Sequence, residues 1–180
     1  MKITIVSGST REGRKSHRVA LALEKSLTAL NHHVEILDLK VLALDPFVER
    51  LQFLSEKPDN LVKISETLQQ SDGIIFLTPE YNGSISSAMK NFIDTFGRAE
   101  YARKPIGVAT ASTGMMGGMR AAAHLQQIIL AIQGYPLPQM LLAGEVDKNL
   151  DEAGNITNPA FETKLSNFVE AYLTFVGKMR

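Results

Sequence analysis

Three stretches of the sequence carry residue types suited to holding a small anionic or aromatic ligand. The first is Gly8-Ser9-Thr10-Arg11-Glu12-Gly13-Arg14-Lys15-Ser16, followed by His17 and Arg18. It leads from an apolar run into an amphipathic segment, so it ends at a helix N-terminus. Free backbone N–H groups and the helix dipole make such an end attract anions. Ser9, Thr10 and Ser16 add hydroxyl donors, and Arg11 can form charge-assisted bonds to phosphate. His17 is placed either to touch a phosphate or to face solvent. Arg14, Lys15 and Arg18 read as solvent-facing. The second stretch is Thr78-Pro79-Glu80-Tyr81-Asn82-Gly83-Ser84. Tyr81 supplies an aromatic face, Asn82 amide donors and acceptors, and Gly83 flexibility, a combination that suits a planar ring with polar edges. The third is Ala111-Ser112-Thr113-Gly114-Met115-Met116-Gly117-Gly118. Its glycines expose backbone N–H groups and permit close approach to a ring, and Met115 with Met116 offers adaptable apolar contact. Taken singly, each stretch also reads as an ordinary turn or solvated loop with a helix cap.

No acid–base or nucleophilic set accompanies them. Ser112 and His124 are present, but G-x-S-x-G is not. The chain has no cysteine, which excludes thiolate zinc sites, iron–sulfur clusters and a catalytic thiol. Binding groups without reactive side chains fit a site where a cofactor carries the chemistry. The first stretch is also a near miss for the P-loop: Gly8 to Gly13 has the right spacing, but Arg14 is inserted before Lys15-Ser16. The Mg²⁺-binding acid that a nucleotide triphosphatase wants at the end of another apolar strand is replaced by Thr78-Pro79.

The elements that must position these loops alternate along the chain. Apolar runs at 2–7, 73–78 and 106–111 read as buried strands, 33–38 as a less apolar one and 136–143 as a fifth. Helical spacing appears at 16–30, 59–71, Met89 to Phe96, a segment with Ala122, Ala123, Gln126, Ile129 and Leu130 along one side, and a last one from Phe161 to Val176. Five strand–helix alternations predict an α/β fold with a mostly parallel sheet. Continuous apolar runs belong at the centre of such a sheet. The second strand carries Glu35 and Asp38, and the fifth opens with Pro136-Leu137-Pro138, so these two read as edges. That is the doubly wound order 2-1-3-4-5, in which ligands bind beyond the carboxyl ends of strands one and three. The irregular stretch 40–58 holds Leu42, Leu44, Phe47, Leu51 and Phe53, too apolar for a solvated loop, and is expected to pack on the core or on another subunit.

Length and composition agree with this. The 180 residues predict one domain spanning 1–180, and 44% hydrophobic with 21% charged is ordinary for a globular protein. Nineteen basic residues balance nineteen acidic ones, which argues against a general nucleic-acid binder. No run approaches a membrane span, and the opening apolar stretch is too short for a signal peptide, so the expected compartment is the cytoplasm.

Gly8-Ser9-x-Arg11 with Ser16, then Pro79-Glu80-Tyr81-Asn82-Gly83-Ser84, then Ser112-x-Gly114-x-x-Gly117-Gly118 resemble the NADPH-dependent FMN reductase family. The resemblance runs through Lys90-Asn91 to Asp151-Glu152-x-Gly154-Asn155, and its most specific element is the P-E-Y-N-G-S string. It implies a three-layer flavodoxin-like fold on a five-stranded sheet. It also implies bound FMN, with NADPH or NADH as electron donor. Hydride would pass from donor to flavin and on to a small acceptor: a flavin, quinone, azo compound or metal oxyanion. By resemblance, Ser9, Arg11 and Ser16 hold the FMN phosphate. Pro79, Glu80, Tyr81, Asn82, Gly83 and Ser84 line the ring, and Ser112 with Gly114, Gly117 and Gly118 borders its other edge. No side chain need be chemically essential. A homodimer or homotetramer is expected on the same ground. Two positions depart from the family: Ser86 stands where members often have Pro, and Thr95-Phe96 where many have Trp. A flavodoxin-type electron carrier is the alternative; its usual acidity is absent here. A receiver-type signalling domain lacks its acidic cluster.

Overall fold

A computed structural model describes residues 1–179. Its elements in chain order are β1 (Lys2–Ser7), α1 (Ser16–Ala29), β2 (His33–Asp38), α2 (Leu39–Leu42), α3 (Asp59–Gln70), β3 (Gly73–Pro79), α4 (Ser87–Thr95), α5 (Arg98–Tyr101), β4 (Pro105–Ala111), α6 (Met119–Ala131), β5 (Tyr135–Pro136), β6 (Leu141–Ala143), α7 (Val146–Asn149) and α8 (Pro159–Met179). All strand pairings are parallel, in the order β2-β1-β3-β4-β5, with β6 also on β4.

The strands sort their side chains by the period of two. Ile3, Ile5, Ile75, Leu77, Ala109 and Ala111 face α1 and α8, where Val19, Leu23, Leu27, Phe161, Leu165, Phe168 and Tyr172 close one core. Val6, Ile74, Phe76, Ile106 and Val108 face α3, α4 and α6, where Leu68, Met89, Phe92, Ile93, Leu125 and Ile129 close the other. β3 and β4 are buried at every residue, whereas β2 is largely half-exposed, as expected of an edge.

The expected fifth strand is broken in two. Tyr135 N–H donates to the carbonyl of Lys104, just before β4, at 2.8 Å, and Leu137 N–H to that of Ile106 on β4 at 2.9 Å. The ring nitrogen of Pro136 therefore faces away from the ladder, where a missing donor costs nothing. Pro138 cannot continue it, and the chain rejoins β4 only at Leu141.

One further expectation needs correction. The buried face of α6 is Ala121, Ala122, Leu125 and Ile129, while Ala123 and Leu130 are exposed. Within 40–58, Leu51 is buried and Leu42 and Leu44 pack against the second core, but Phe47 and Phe53 are exposed. The segment is held by Asn91: its amide accepts from Phe47 N–H at 2.6 Å and donates to the Asp45 carbonyl at 2.9 Å.

Candidate functional site

The loops after β1, β3 and β4 meet beyond the carboxyl ends of the strands, where the β1/β3 switch opens a crevice. Gly8 lets the first loop leave the sheet. Its N–H donates to the Leu77 carbonyl at 2.8 Å, and a Cβ there would fall 2.7 Å from the Met89 terminal methyl. Ser86 ties the first two loops together. Its hydroxyl caps α4 through Met89 N–H and donates to the Gly8 carbonyl at 2.5 Å, and its own N–H donates to Thr78 Oγ1 at 3.0 Å. The third loop folds back on itself. Gly114 N–H donates to Ser112 Oγ at 3.0 Å, and Thr110 Oγ1 donates to the Gly117 carbonyl at 2.7 Å. Gly117 and Gly118 have φ of +61° and +84°, and a Cβ on Gly117 would stand 2.8 Å from the Leu142 carbonyl carbon, so both positions require glycine.

The cleft enclosed by these loops measures about 340 Å³, within the range of small-molecule sites. Of the expected site residues, Ser9, Arg11, Ser16, Pro79, Glu80, Tyr81 and Ser112 line it. His17 lies behind its wall, with Nδ1 3.0 Å from Ser7 Oγ and 3.9 Å from Asp38 Oδ2. Asn82 and Gly83 form the tight turn that follows Tyr81, both at positive φ. Ser84 Oγ faces His124 Nδ1 at 3.1 Å. Gly114, Gly117 and Gly118 shape the third loop without lining the cleft, and Met115 and Met116 project outward, 84% and 64% exposed.

The electrostatics single out one cation. Arg14 does not face solvent: its side chain is 12% exposed and makes a two-pronged ion pair with Asp38, and it also donates to the Ser9 carbonyl at 2.7 Å. Burial raises the Asp38 carboxyl, but the Arg14 bond, the Lys40 N–H and the Arg14 charge outweigh it and hold it below its usual value. Lys15 pairs with Asp147, which also takes Arg18 at 3.2 Å. Among the described cations lining the cleft, Arg11 alone has no carboxylate partner; its guanidinium lies 5.7 Å from the Tyr81 ring centroid. Ser16 contributes a buried hydroxyl with no partner among the described residues. An anion bearing several oxygens is what both groups lack, and the fit is to a phosphate. At the other end the cleft runs between Tyr81 and Ser112.

Several residues that shape the site were not assigned to it from the sequence: Asp38, Asp147 and Val146 beside the first loop, and Arg120 and His124 beside the second. Glu80 accepts from Arg120 Nε at 2.9 Å and from Arg120 N–H at 3.2 Å, so its carboxylate also caps the first turn of α6. Spacing gives no sign of these partners, which lie up to 132 residues apart.

A parallel sheet in this order, with helices on both faces and a cleft at its switch point, defines a flavodoxin-like fold. The family model described as NADPH-dependent FMN reductase matches residues 1–147, and the chain belongs to that family. A quinone reductase of Escherichia coli (strain K12) is 26% identical over 186 residues, covering 100% of this chain and 97% of that protein. An FMN-dependent NADPH-azoreductase of Staphylococcus aureus is 26% identical over 181 residues, covering 98% and 96%. The flavoenzyme NAD(P)H:(acceptor) oxidoreductase FerB of Paracoccus denitrificans superposes with a TM-score of 0.84 at 22% identity, covering 99% of this chain and 98% of that one, a likeness of fold. No helix among the described residues is long and apolar enough to cross a membrane.

Proposed function

We propose that this NAD(P)H-dependent flavin reductase holds FMN in the cleft described above and reduces a small planar acceptor of the quinone or azo class. Its relatives' names supply the acceptor class. The single observation that carries the site assignment is Arg11: an unneutralised cation in a cleft whose other cations are paired. Bound FMN supplies the hydride-accepting and electron-donating chemistry.

The chain's own residues bind and orient. Arg11 and the Ser9 and Ser16 hydroxyls grip the phosphate, helped by the N-terminus of α1. Arg14, fixed by Asp38, holds the Ser9 carbonyl and so the shape of the loop. Asp147 clamps Lys15 and Arg18 to the far wall. Tyr81 and Pro79 wall the ring on one side and Ser112 on the other.

The test is an anaerobic spectrum of the FMN-loaded protein before and after NADPH, then NADH. Rapid loss of the flavin absorbance is the expected result. Flavin that binds but is reduced by neither nucleotide would turn the reading to an electron carrier.

A further inference from the structure

We infer that Arg120 and His124, on the outer face of α6, form the docking point for a phosphate of the pyridine dinucleotide donor. The inference rests on the reductase reading above and deepens it by assigning the donor's subsite.

The two side chains stand one turn apart, so they share a face of α6. Both reach the loop that walls the ring end of the cleft. Arg120 binds Glu80, and His124 Nδ1 meets Ser84 Oγ at 3.1 Å. Between these contacts lies the Asn82-Gly83 turn, where a Cβ on Gly83 would stand 3.9 Å from Arg120 Cδ and Nε. The absence of a side chain there leaves the guanidinium uncovered.

The ion pair is lopsided. Glu80 is the inner partner, 15% exposed, and both its oxygens are engaged, one by the guanidinium and one by Arg120 N–H. Arg120 is the outer partner, 76% exposed. Nε and Nη2 face Glu80, at 2.9 and 2.7 Å, so two of the five guanidinium N–H donors are spent and the rest face solvent. His124 Nε2 has no protein partner among the described residues. A negative group is thus buried beneath a fixed fork of donors, with an imidazole beside it.

The position suits the donor and not the flavin. Phosphate-binding groups for FMN lie at the opposite end of the cleft, and their cations other than Arg11 are neutralised by Asp38 and Asp147. A dinucleotide stacking its nicotinamide on the ring must lead its phosphates out over one rim. The rim at α6 offers an exposed guanidinium already held in one orientation, which lowers the cost of ordering it on binding.

The experiment uses the FMN-loaded enzyme. Anaerobic stopped-flow gives the half-saturating concentration and limiting rate of flavin reduction by NADPH and by NADH, for wild type, Arg120→Ala, Arg120→Lys and His124→Gln. Calorimetry with 2′,5′-ADP and with 5′-ADP gives equilibrium affinity independent of turnover. Arg120→Ala is expected to raise the half-saturating NADPH about tenfold, the loss of one charge-assisted contact, with the limiting rate changing less than about twofold. His124→Gln is expected to raise it by roughly threefold, and Arg120→Lys to recover part of the loss. A larger loss for NADPH than NADH, with weakened 2′,5′-ADP binding, places the 2′-phosphate at Arg120. Equal losses with weakened 5′-ADP binding place the pyrophosphate there. Unchanged half-saturation for both nucleotides overturns the inference while the reductase reading stands. If Arg120→Ala releases FMN, His124→Gln decides alone by the same criterion. A wild-type enzyme reduced by neither nucleotide overturns both.

Discussion

The Tyr81 hydroxyl lies 3.1 Å from Ser9 Oγ, so the loop after β3 is hydrogen-bonded to the loop after β1 across the cleft. Arg11 completes the contact from above, over the Tyr81 ring. The two halves of the proposed cofactor site therefore touch before any ligand spans them. Ser9→Ala removes both this link and a phosphate donor, and should weaken FMN binding about tenfold. Tyr81→Phe removes only the link and should change affinity less than about threefold. Arg11→Ala should cost most, roughly tenfold to a hundredfold, with little change in reduction rate at saturating FMN. Quenching of FMN fluorescence measures all three; an unchanged affinity in Arg11→Ala would remove it from the phosphate site.

Stability should fall on the acid side of neutrality. Burial, then the Arg14 charge, lowers the His17 pKa, against the pull of Asp38 and Glu24. The unfolded chain therefore takes up a proton near the usual 6.5 that the folded chain refuses. His17 costs nothing above that pH and destabilises as pH falls through it. Asp38, also lowered, adds a second loss of stability below its usual 3.8. Urea midpoints at pH 7.5, 5.5 and 4.5 should decline, and His17→Gln should shrink the first step. A residual step remains from His32, lowered by burial and by the chain's amino terminus.

Ser86 joins three elements: the N-terminus of α4, the end of β3 and the loop after β1. Ser86→Ala should lower stability by about 1–2 kcal/mol, since it removes a cap and leaves the buried Gly8 carbonyl short of a donor. Ser86→Pro suits the local φ of −65° but also deletes the N–H that Thr78 accepts, so it should cost more. Equal denaturation midpoints for wild type and Ser86→Ala would contradict this.

Tyr172 stacks parallel to Phe168 under the sheet with its hydroxyl buried and, among the described residues, unpartnered. Burial pushes that hydroxyl well above its ordinary pKa. A polar atom without a partner costs about 1–3 kcal/mol, and the same oxygen occupies the space that a Cβ on Gly73 would need. Tyr172→Phe should be neutral or stabilising by about 1 kcal/mol in a urea titration.

The bounds of the first four strands and the sheet order were legible because burial on two faces and on one face leave different patterns, as GIIFLT at 73–78 and HVEILD at 33–38 show. The phase of α6 was not, because Ala121, Ala122 and Ala123 are consecutive small residues that fit a buried arc from either side. Arg14 misled for a similar reason. A basic residue in a polar loop reads as solvated until its acid is found, and Asp38 sits at the end of another strand. The convergence of the three loops was readable from topology; the tethers that fix their shapes, Asp147 and Arg120, join segments with no shared period. Glycine positions were legible as loops, but the backbone of Leu142 and Gly144 packed against Gly117, and the positive φ of both glycines, were not.

The break in the last strand bears on how the molecule behaves in a crowd. A long straight edge would present a row of free backbone donors and acceptors to any other extended chain, the usual seed of edge-to-edge aggregation. Here that border is two residues, a departure at Leu137–Met140 and three residues more. Two prolines close to the gap make the border useless as a template. The sheet stops growing at a place where its own sequence leaves no register to copy.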